Sequence, residues 1–328
     1  MADRLVTIFG GSGFVGRHLV QRLARTGVRI RVAVRNPNLA LFLKPLGDVG
    51  QIQIVQANVR DDDSVARAVA GADAVVNLVG ILYQRGRQRF DDLQADGADR
   101  IARASRAAGV SRLVHLSAIG ADSASASHYA RSKAAGEKAM TEAFPNVTIM
   151  RPSVVFGPED GFFNRFATMI RMTPVLPLFG GVPVLRPGGQ TKFQPVYVGD
   201  VADAIVTALG DRSMAGKVFE LGGPRIYTLR QIFEIVLAET GRKRLCVSIP
   251  FGLAKIKAWL LQIASRLLMV APLLTVDQVK LLATDNVVAD DALTLADIGI
   301  TPTTVEAIIP TYLWRHRRSG QFSDHNSR

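Results

Sequence analysis

Residues 5–19, LVTIFGGSGFVGRHL, constrain this chain more than any other stretch. Residues 5–9 are apolar-biased and read as a buried strand. A glycine turn follows, with Gly10, Gly11, Gly13 and Gly16 set around Ser12. Phe14, Val15, Leu19, Val20 and Leu23 then recur at helical spacing. Strand, glycine turn and helix, in that order, form the context a dinucleotide site needs. Gly10 permits the tight turn, Gly13 lets the backbone approach a pyrophosphate, and Gly16 lets the helix pack close on the strand. The helix start offers N–H groups and a partial positive charge to phosphates. Gly10, Gly11, Ser12, Gly13, Phe14, Val15, Gly16 and Arg17 are therefore the expected phosphate cradle.

The spacing Gly-x-x-Gly-x-x-Gly, from Gly10 to Gly16, is one residue wider at its start than Gly-x-Gly-x-x-Gly. That wider form resembles the short-chain dehydrogenase/reductase (SDR) superfamily, above all its extended and atypical branches. Further strands are expected at 29–34, 52–55, 74–79, 112–117 and 147–150, with a long helix at 90–108. Strands alternating with helices of this length indicate an α/β fold with a doubly wound parallel sheet, a Rossmann arrangement. An acid at the end of the second strand would bind the ribose 2′-hydroxyl of NAD; this chain has Arg35, which suits the 2′-phosphate of NADP(H). Asn58-Val59 stands where SDR proteins carry an Asp-Val or Asp-Leu pair that holds the adenine amine, and an asparagine oxygen can still accept that bond. Gly80 is expected where the backbone runs beside the cofactor.

Composition narrows the setting. Lys and Arg number 40 against 28 Asp and Glu, a net charge of +12, which favours anionic partners. The basic residues are scattered and no nucleic-acid motif is present, so nucleic acid is not an expected partner. Cys246 is the single cysteine, so no internal disulfide forms; it reads as a small buried hydrophobe. No His, Cys, Asp or Glu pattern suggests a metal. The first strand begins so near the start that no targeting peptide is expected, and no apolar run is long enough to span a membrane.

Tyr129 and Lys133 stand four apart, on one face of an expected helix. The SDR resemblance makes Tyr129 the general acid/base and Lys133 the group that lowers its pKa and bonds the nicotinamide ribose. The resemblance also places a catalytic hydroxyl two residues past Ser117, where this chain has Ile119. Ser117 is then a candidate that faces the nicotinamide, and Ser123, Ser125 or Ser127 substitute only if their loop folds back. Tyr129 and Lys133 are accordingly read as a weak or vestigial pair. Residues 151–158, RPSVVFGP, resemble the extended-SDR stretch Arg-Pro-x-x-x-Tyr-Gly-Pro, with Pro152 beside the nicotinamide pocket. Residues 193–202 match a further signature of that branch, in which Asp200 is expected as a helix N-cap; 218–224 match its last turn.

The last third departs from sugar-modifying members of the branch. Residues 251–271 read as a helix that is apolar nearly all round, interrupted by Lys255, Lys257 and Arg266. Core, subunit interface and a basic amphipathic helix on a membrane all fit this pattern. Residues 272–280, 284–288, 295–303 and 309–318 complete a set that, with the glycine loop, resembles the SDR-like, NADPH-binding accessory subunits of respiratory complex I (NADH:ubiquinone oxidoreductase) in their alphaproteobacterial form. The resemblance implies structural NADPH and no part in electron transfer. It implies complex I subunits of the peripheral arm and membrane junction as partners, with anionic lipid headgroups a further candidate, and a peripheral position on the cytoplasmic face of a bacterial inner membrane. The alternative is an active NADPH-dependent reductase or isomerase acting on a quinone precursor or lipid. The expected division is a nucleotide domain at 1–151 completed by about 192–222, a smaller and mainly helical domain from 152–191 and 223–318, and a flexible tail at 319–328.

Overall fold

The computed structural model describes residues 4–182, 187–267, 275–318 and 320. The end of the predicted 251–271 helix, the motif residues 272–274 and nearly all of the 319–328 tail lie outside the described residues. The chain divides into two compact units.

The first unit contains Met1–Pro152, Val198–Leu221 and Ala289–Thr301. Its elements begin with β1 (Leu5–Phe9), α1 (Phe14–Arg25), β2 (Arg29–Val34), β3 (Ile52–Gln56), α2 (Asp62–Val69) and β4 (Ala74–Asn77). They continue with α3 (Asp96–Ala107), β5 (Arg112–Leu116), α4 (His128–Ala143) and β6 (Thr148–Pro152). The second unit takes up the chain with β7 (Val155–Phe156), α5 (Phe163–Met172), β8 (Val175–Phe179), β9 (Lys192–Phe193) and β10 (Val196–Tyr197). The chain then returns to the first unit for α6 (Val198–Gly210) and β11 (Val218–Leu221). It ends its regular elements with β12 (Tyr227–Thr228), α7 (Leu229–Thr240), β13 (Leu245–Ile249), α8 (Phe251–Leu267), α9 (Val276–Leu281), α10 (Val305–Ile308) and α11 (Pro310–Leu313).

Seven parallel strands form the sheet of the first unit, in the order β11-β6-β5-β4-β1-β2-β3. The order reverses at β1, between β4 and β2, and ligands of such sheets sit at the carboxyl ends of the strands at that reversal. Phe9, Val65, Val75, Ile101, Leu113 and Met140 belong to its core. β4 stops two residues short of the expected end, because the Asn77 side-chain oxygen accepts the Val79 N–H at 3.0 Å and turns the chain. The predicted 90–108 helix opens with a wide π turn, Asp91–Ala95, before α3. Gln94 on that turn is buried; its amide donates to the Ile81 carbonyl at 2.7 Å and its oxygen accepts from Ser132 at 3.3 Å. Asp200 is not the N-cap of its helix: α6 begins two residues earlier, which puts Asp200 in the first turn.

Residues 289–301 lie with the sheet unit, although the sequence division leaves them in the C-terminal domain. Backbone pairing explains it. The Glu220 N–H donates to the Leu293 carbonyl at 2.8 Å, and the Ala289 N–H donates to the Glu220 carboxylate at 3.0 Å.

The second unit is mainly helical, with short ribbons pairing β7 with β10, β8 with β13 and β9 with β12. Phe156, Phe163, Phe233, Tyr312 and Leu313 are in its core. Among the described residues, no helix is long and apolar enough to cross a membrane.

Candidate nucleotide site

The cradle starts where β1 ends. Gly10 has φ +78°, a conformation that suits glycine, and a Cβ there would stand 3.2–3.3 Å from the Leu78–Val79 backbone. Gly16 has no room for a side chain: a Cβ would lie 2.5 Å from the Gly11 Cα and carbonyl oxygen. The helix therefore packs directly on the turn. Gly13 differs, since a Cβ there would meet one atom within 4 Å, the Gly10 oxygen at 3.2 Å. Packing within the chain does not demand that glycine, and the open space beside it fits an approaching phosphate. Gly13 is also the N-cap of α1 and supplies no side-chain cap, while no acid stands in the first turn. Helix geometry leaves the first-turn N–H groups without carbonyl partners in the helix, and these are anion donors.

Arg17 follows in α1, its guanidinium 4.9 Å from the Phe42 ring centre. Arg35 comes directly after β2, exposed, and makes no hydrogen bond or ion pair to the described residues. Asn58 is half-buried, and its side-chain oxygen accepts the Arg60 backbone N–H at 3.2 Å. The same oxygen also accepts the Arg60 Nε–H at 3.5 Å, so an adenine amine would have to displace that long second bond. Val59 is buried and packs against Gly97.

The carboxyl ends of β4 and β5 carry a polar cluster. Lys133 is buried; its ammonium donates to the Leu116 carbonyl at 3.1 Å and lies 3.4 Å from where a Gly80 Cβ would be. Burial lowers the Lys133 pKa to about 8, against the opposing pull of Glu137. Ser117 is buried, its N–H donates to the Met150 carbonyl at 2.7 Å, and its hydroxyl has no partner among the described residues. That orphaned hydroxyl fits a group supplied from outside the chain. Pro152 ends β6 and its carbonyl accepts the Ile119 N–H at 3.0 Å.

Tyr129 corrects an expectation. The lysine was expected to lower its pKa; instead burial pushes the phenol up to about 12. Tyr129 packs edge-on against Phe90, ring centres 5.8 Å apart, and the Lys133 ammonium is held on the β5 carbonyl. At neutral pH this phenol is protonated. The serines that could replace a catalytic hydroxyl are not assembled for it. Ser127 caps α4 through the Ala130 N–H at 3.3 Å, Ser125 accepts the Ser127 N–H at 3.2 Å, and Ser123 is exposed.

His115 was not anticipated. It is buried on β5, one residue before the Leu116 carbonyl that holds Lys133; its Nδ1 lies 3.1 Å from the Asn77 amide, and its Nε2 has no partner among the described residues. Burial first, and the Lys133 charge second, lower its pKa to about 3, so it is neutral. Its signal in the sequence is a polar residue inside the apolar run RLVHL. Cys246 is half-buried and free, and burial raises its pKa, so it is not an activated thiolate. Among the described residues no group of three potential ligands could hold a metal ion.

Residues 6–222 match the NAD dependent epimerase/dehydratase family. The chain is 36% identical over 328 residues to NADH dehydrogenase [ubiquinone] 1 alpha subcomplex subunit 9, mitochondrial, of Arabidopsis thaliana, covering 96% of this chain and 79% of that protein. It is 35% identical over 177 residues to a ceramide reductase of Caulobacter vibrioides, covering 54% of each chain. In structure it is similar to the dTDP-glucose 4,6-dehydratase of Streptomyces venezuelae solved with NAD bound, with a TM-score of 0.69 at 19% identity over 96% of this chain and 98% of that one.

Proposed function

From the premise that the chain belongs to the NAD dependent epimerase/dehydratase family and is related along its length to a mitochondrial complex I subunit, we propose that it is an accessory subunit of respiratory complex I that holds NADPH as a structural ligand. The observation that carries this reading is the extent of the similarity. It reaches 96% of the chain, and so takes in the C-terminal unit as well as the nucleotide half. The proposed setting is the peripheral arm of the bacterial, alphaproteobacterial complex, on the cytoplasmic face of the membrane and near where quinone enters.

The cradle residues Gly10–Arg17 would hold the pyrophosphate, Arg35 with Arg17 the 2′-phosphate, and Asn58 with Val59 the adenine. Gly80, Ser117, Tyr129, Lys133 and Pro152 would surround the nicotinamide half. A bound nicotinamide supplies hydride-transfer chemistry in this family. Here Ile119 occupies the hydroxyl position, and loss of such a preorganised donor costs about two to three orders of magnitude in rate. A ligand held at a hundred times its Kd instead stabilises the fold by about 2.7 kcal/mol.

Native separation of a mild-detergent membrane extract tests the assembly. This chain is expected to migrate in one large species together with NADH:quinone oxidoreductase activity. Migration as a small species while complex I stays intact would overturn the reading.

The similarity to a ceramide reductase, with Tyr129 and Lys133 both present, favours a second reading: an NADPH-dependent reductase or isomerase acting on a lipid or quinone precursor. Under it, Tyr129→Phe abolishes turnover and spares NADPH binding. Turnover unaffected by that change would remove Tyr129 from the chemistry.

A further inference from the structure

The second unit carries a concentration of guanidinium groups that the nucleotide site does not use. Arg171 stands in the last turn of α5, Arg242 and Arg244 lie between α7 and β13, and Arg315 and Arg318 come from the C-terminal segment after α11. The fold fixes several of them. Arg244 donates to the Ile170 carbonyl at 2.8 Å, beside Arg171. Arg242 donates to the His316 carbonyl at 3.4 Å. Arg315 donates to the Pro158 carbonyl at 2.9 Å and to the Asn164 side chain at 2.5 Å.

None of these five is paired with a carboxylate among the described residues. Glu239 stands close by but is taken by Arg317, a bond to its carboxylate and another at 2.9 Å to its carbonyl. The remaining positive charges repel one another: after burial itself, Arg244, Arg318 and Arg171 all act on Arg242 to lower its pKa. Within the group sits His316, half-buried. Both of its ring nitrogens are shielded from solvent and have no hydrogen-bond partner among the described residues. Arg315, Arg171 and Arg242 surround it closely enough to disfavour its charged form, after burial itself.

Repelling guanidinium groups held in place by backbone carbonyls are a poor arrangement for the chain alone. They suit an anion that accepts several donors at once. A phosphate offers a delocalised charge and several acceptor oxygens, and planar guanidinium forks match it. We propose that Arg171, Arg242, Arg244, Arg315 and Arg318, grouped around His316, form a phosphate-binding site separate from the nucleotide cradle. Exposed Met172, Val175 and Leu245 adjoin these arginines in sequence or across the β8–β13 pair, Val175 opposite Leu245. Those side chains give a lipid phosphate an apolar neighbour that a free phosphate would not need.

The test uses the full chain with saturating NADPH, so that the cradle is filled. Binding of inorganic pyrophosphate is followed by calorimetry. Binding to vesicles is followed by flotation, on phosphatidylcholine alone and on an equimolar mixture with phosphatidylglycerol. The variant Arg171→Gln/Arg318→Gln removes two exposed charges that hold no part of the fold; Lys255→Gln/Lys257→Gln removes the same charge from α8 as a control.

The expected result is binding that falls about ten-fold or more in the arginine variant and changes little in the lysine control. Binding to pyrophosphate as well as anionic vesicles assigns the site to phosphate in general, and binding to anionic vesicles alone assigns it to lipid headgroups. Equal losses in both variants would reduce the effect to net charge and overturn the site. No binding to either probe would also overturn it, and would turn attention to an acidic protein surface. Loss of His316 ring perturbation in the arginine variant, read by NMR on adding pyrophosphate or phosphatidylglycerol, locates the contact independently of affinity.

Discussion

At the scale of single residues, the cradle was legible where chemistry is local and illegible where it depends on burial. Gly10 and Gly16 could be assigned from spacing because their roles lie in the backbone: a positive φ at the turn, and no room for a Cβ where the helix packs on it. The basicity of Tyr129 could not, because its upward shift comes from desolvation that no sequence spacing records. Arg35 is exposed and without a hydrogen bond or ion pair to the described residues, so Arg35→Glu should leave the fold intact. It removes a charge-assisted bond worth about 1.5–3 kcal/mol, so NADPH affinity should fall about ten- to hundred-fold while NADH affinity holds or rises. Titration of both nucleotides checks this, and unchanged NADPH affinity would take Arg35 out of the site. The buried pair His115 and Lys133 predicts a pH dependence with two limbs. His115, lowered from 6.5 to about 3, is neutral in the fold and protonates first when unfolded, so stability is present above pH 6.5 and falls as pH drops toward 3. Lys133, lowered from 10.5 to about 8, carries a burial penalty below pH 8 that is relieved as pH rises from 8 to 10.5. Lys133→Met should therefore stabilise the nucleotide-free chain at pH 7 by up to about 3 kcal/mol, and flatten the alkaline limb of stability against pH. Denaturant titrations across that range measure it. A loss of stability at pH 7 would show that the ammonium's bond to the Leu116 carbonyl outweighs its burial.

Among the elements, α8 separates what pattern can say from what packing decides. Its composition left core, partner surface and membrane surface open. In the structure Ala254 and Ala258 are buried, while Leu253, Ile256, Trp259 and Leu260 are each more than half exposed, with Lys255 and Lys257 exposed among them. A small-residue stripe faces the unit and a large apolar face does not. The proposed assembly gives that face a use. Trp259→Ala should leave the melting temperature of the isolated chain nearly unchanged, since exposed substitutions usually fall within about 0.5 kcal/mol. Association with the large species should weaken by about 2 kcal/mol or more, because a central tryptophan is a common anchor of interfaces. Native separation of the variant extract reads both. Full retention in the large species would move the contact away from α8. The π turn at Asp91–Ala95 shows the converse limit. The helical pattern over 90–108 was correct in kind, but the extra residue in the turn depends on Gln94 reaching Ile81 and Ser132, contacts far apart in sequence.

Over the whole molecule, strand and helix alternation was enough to specify the parallel sheet, because periodicity carries that information along the chain. The path by which the chain re-enters a unit was not, because pairing between distant backbones leaves little trace in composition. Residues 289–301 make the consequence testable. A cut at residue 272, natural if the last third is a separate attachment region, would also strip the segment that pairs with β11 through Leu293 and carries the buried Leu295. Every residue assigned to the cradle is in the first unit, so two truncations should behave differently. A chain ending at 271 loses the backbone bond from Glu220 to Leu293 and exposes the edge of the sheet at β11. It should bind NADPH at least about ten-fold more weakly, as the unsatisfied pairing and lost burial destabilise the unit that binds. A chain ending at 301 keeps that segment and loses Val305, Ile309, Tyr312 and Leu313 from the core of the second unit. It should keep NADPH affinity while losing association with the large species. Nucleotide fluorescence titration of both truncations decides the matter. If the shorter chain binds NADPH as tightly as the full one, residues 289–301 are a passive return strap and the sheet is complete without them.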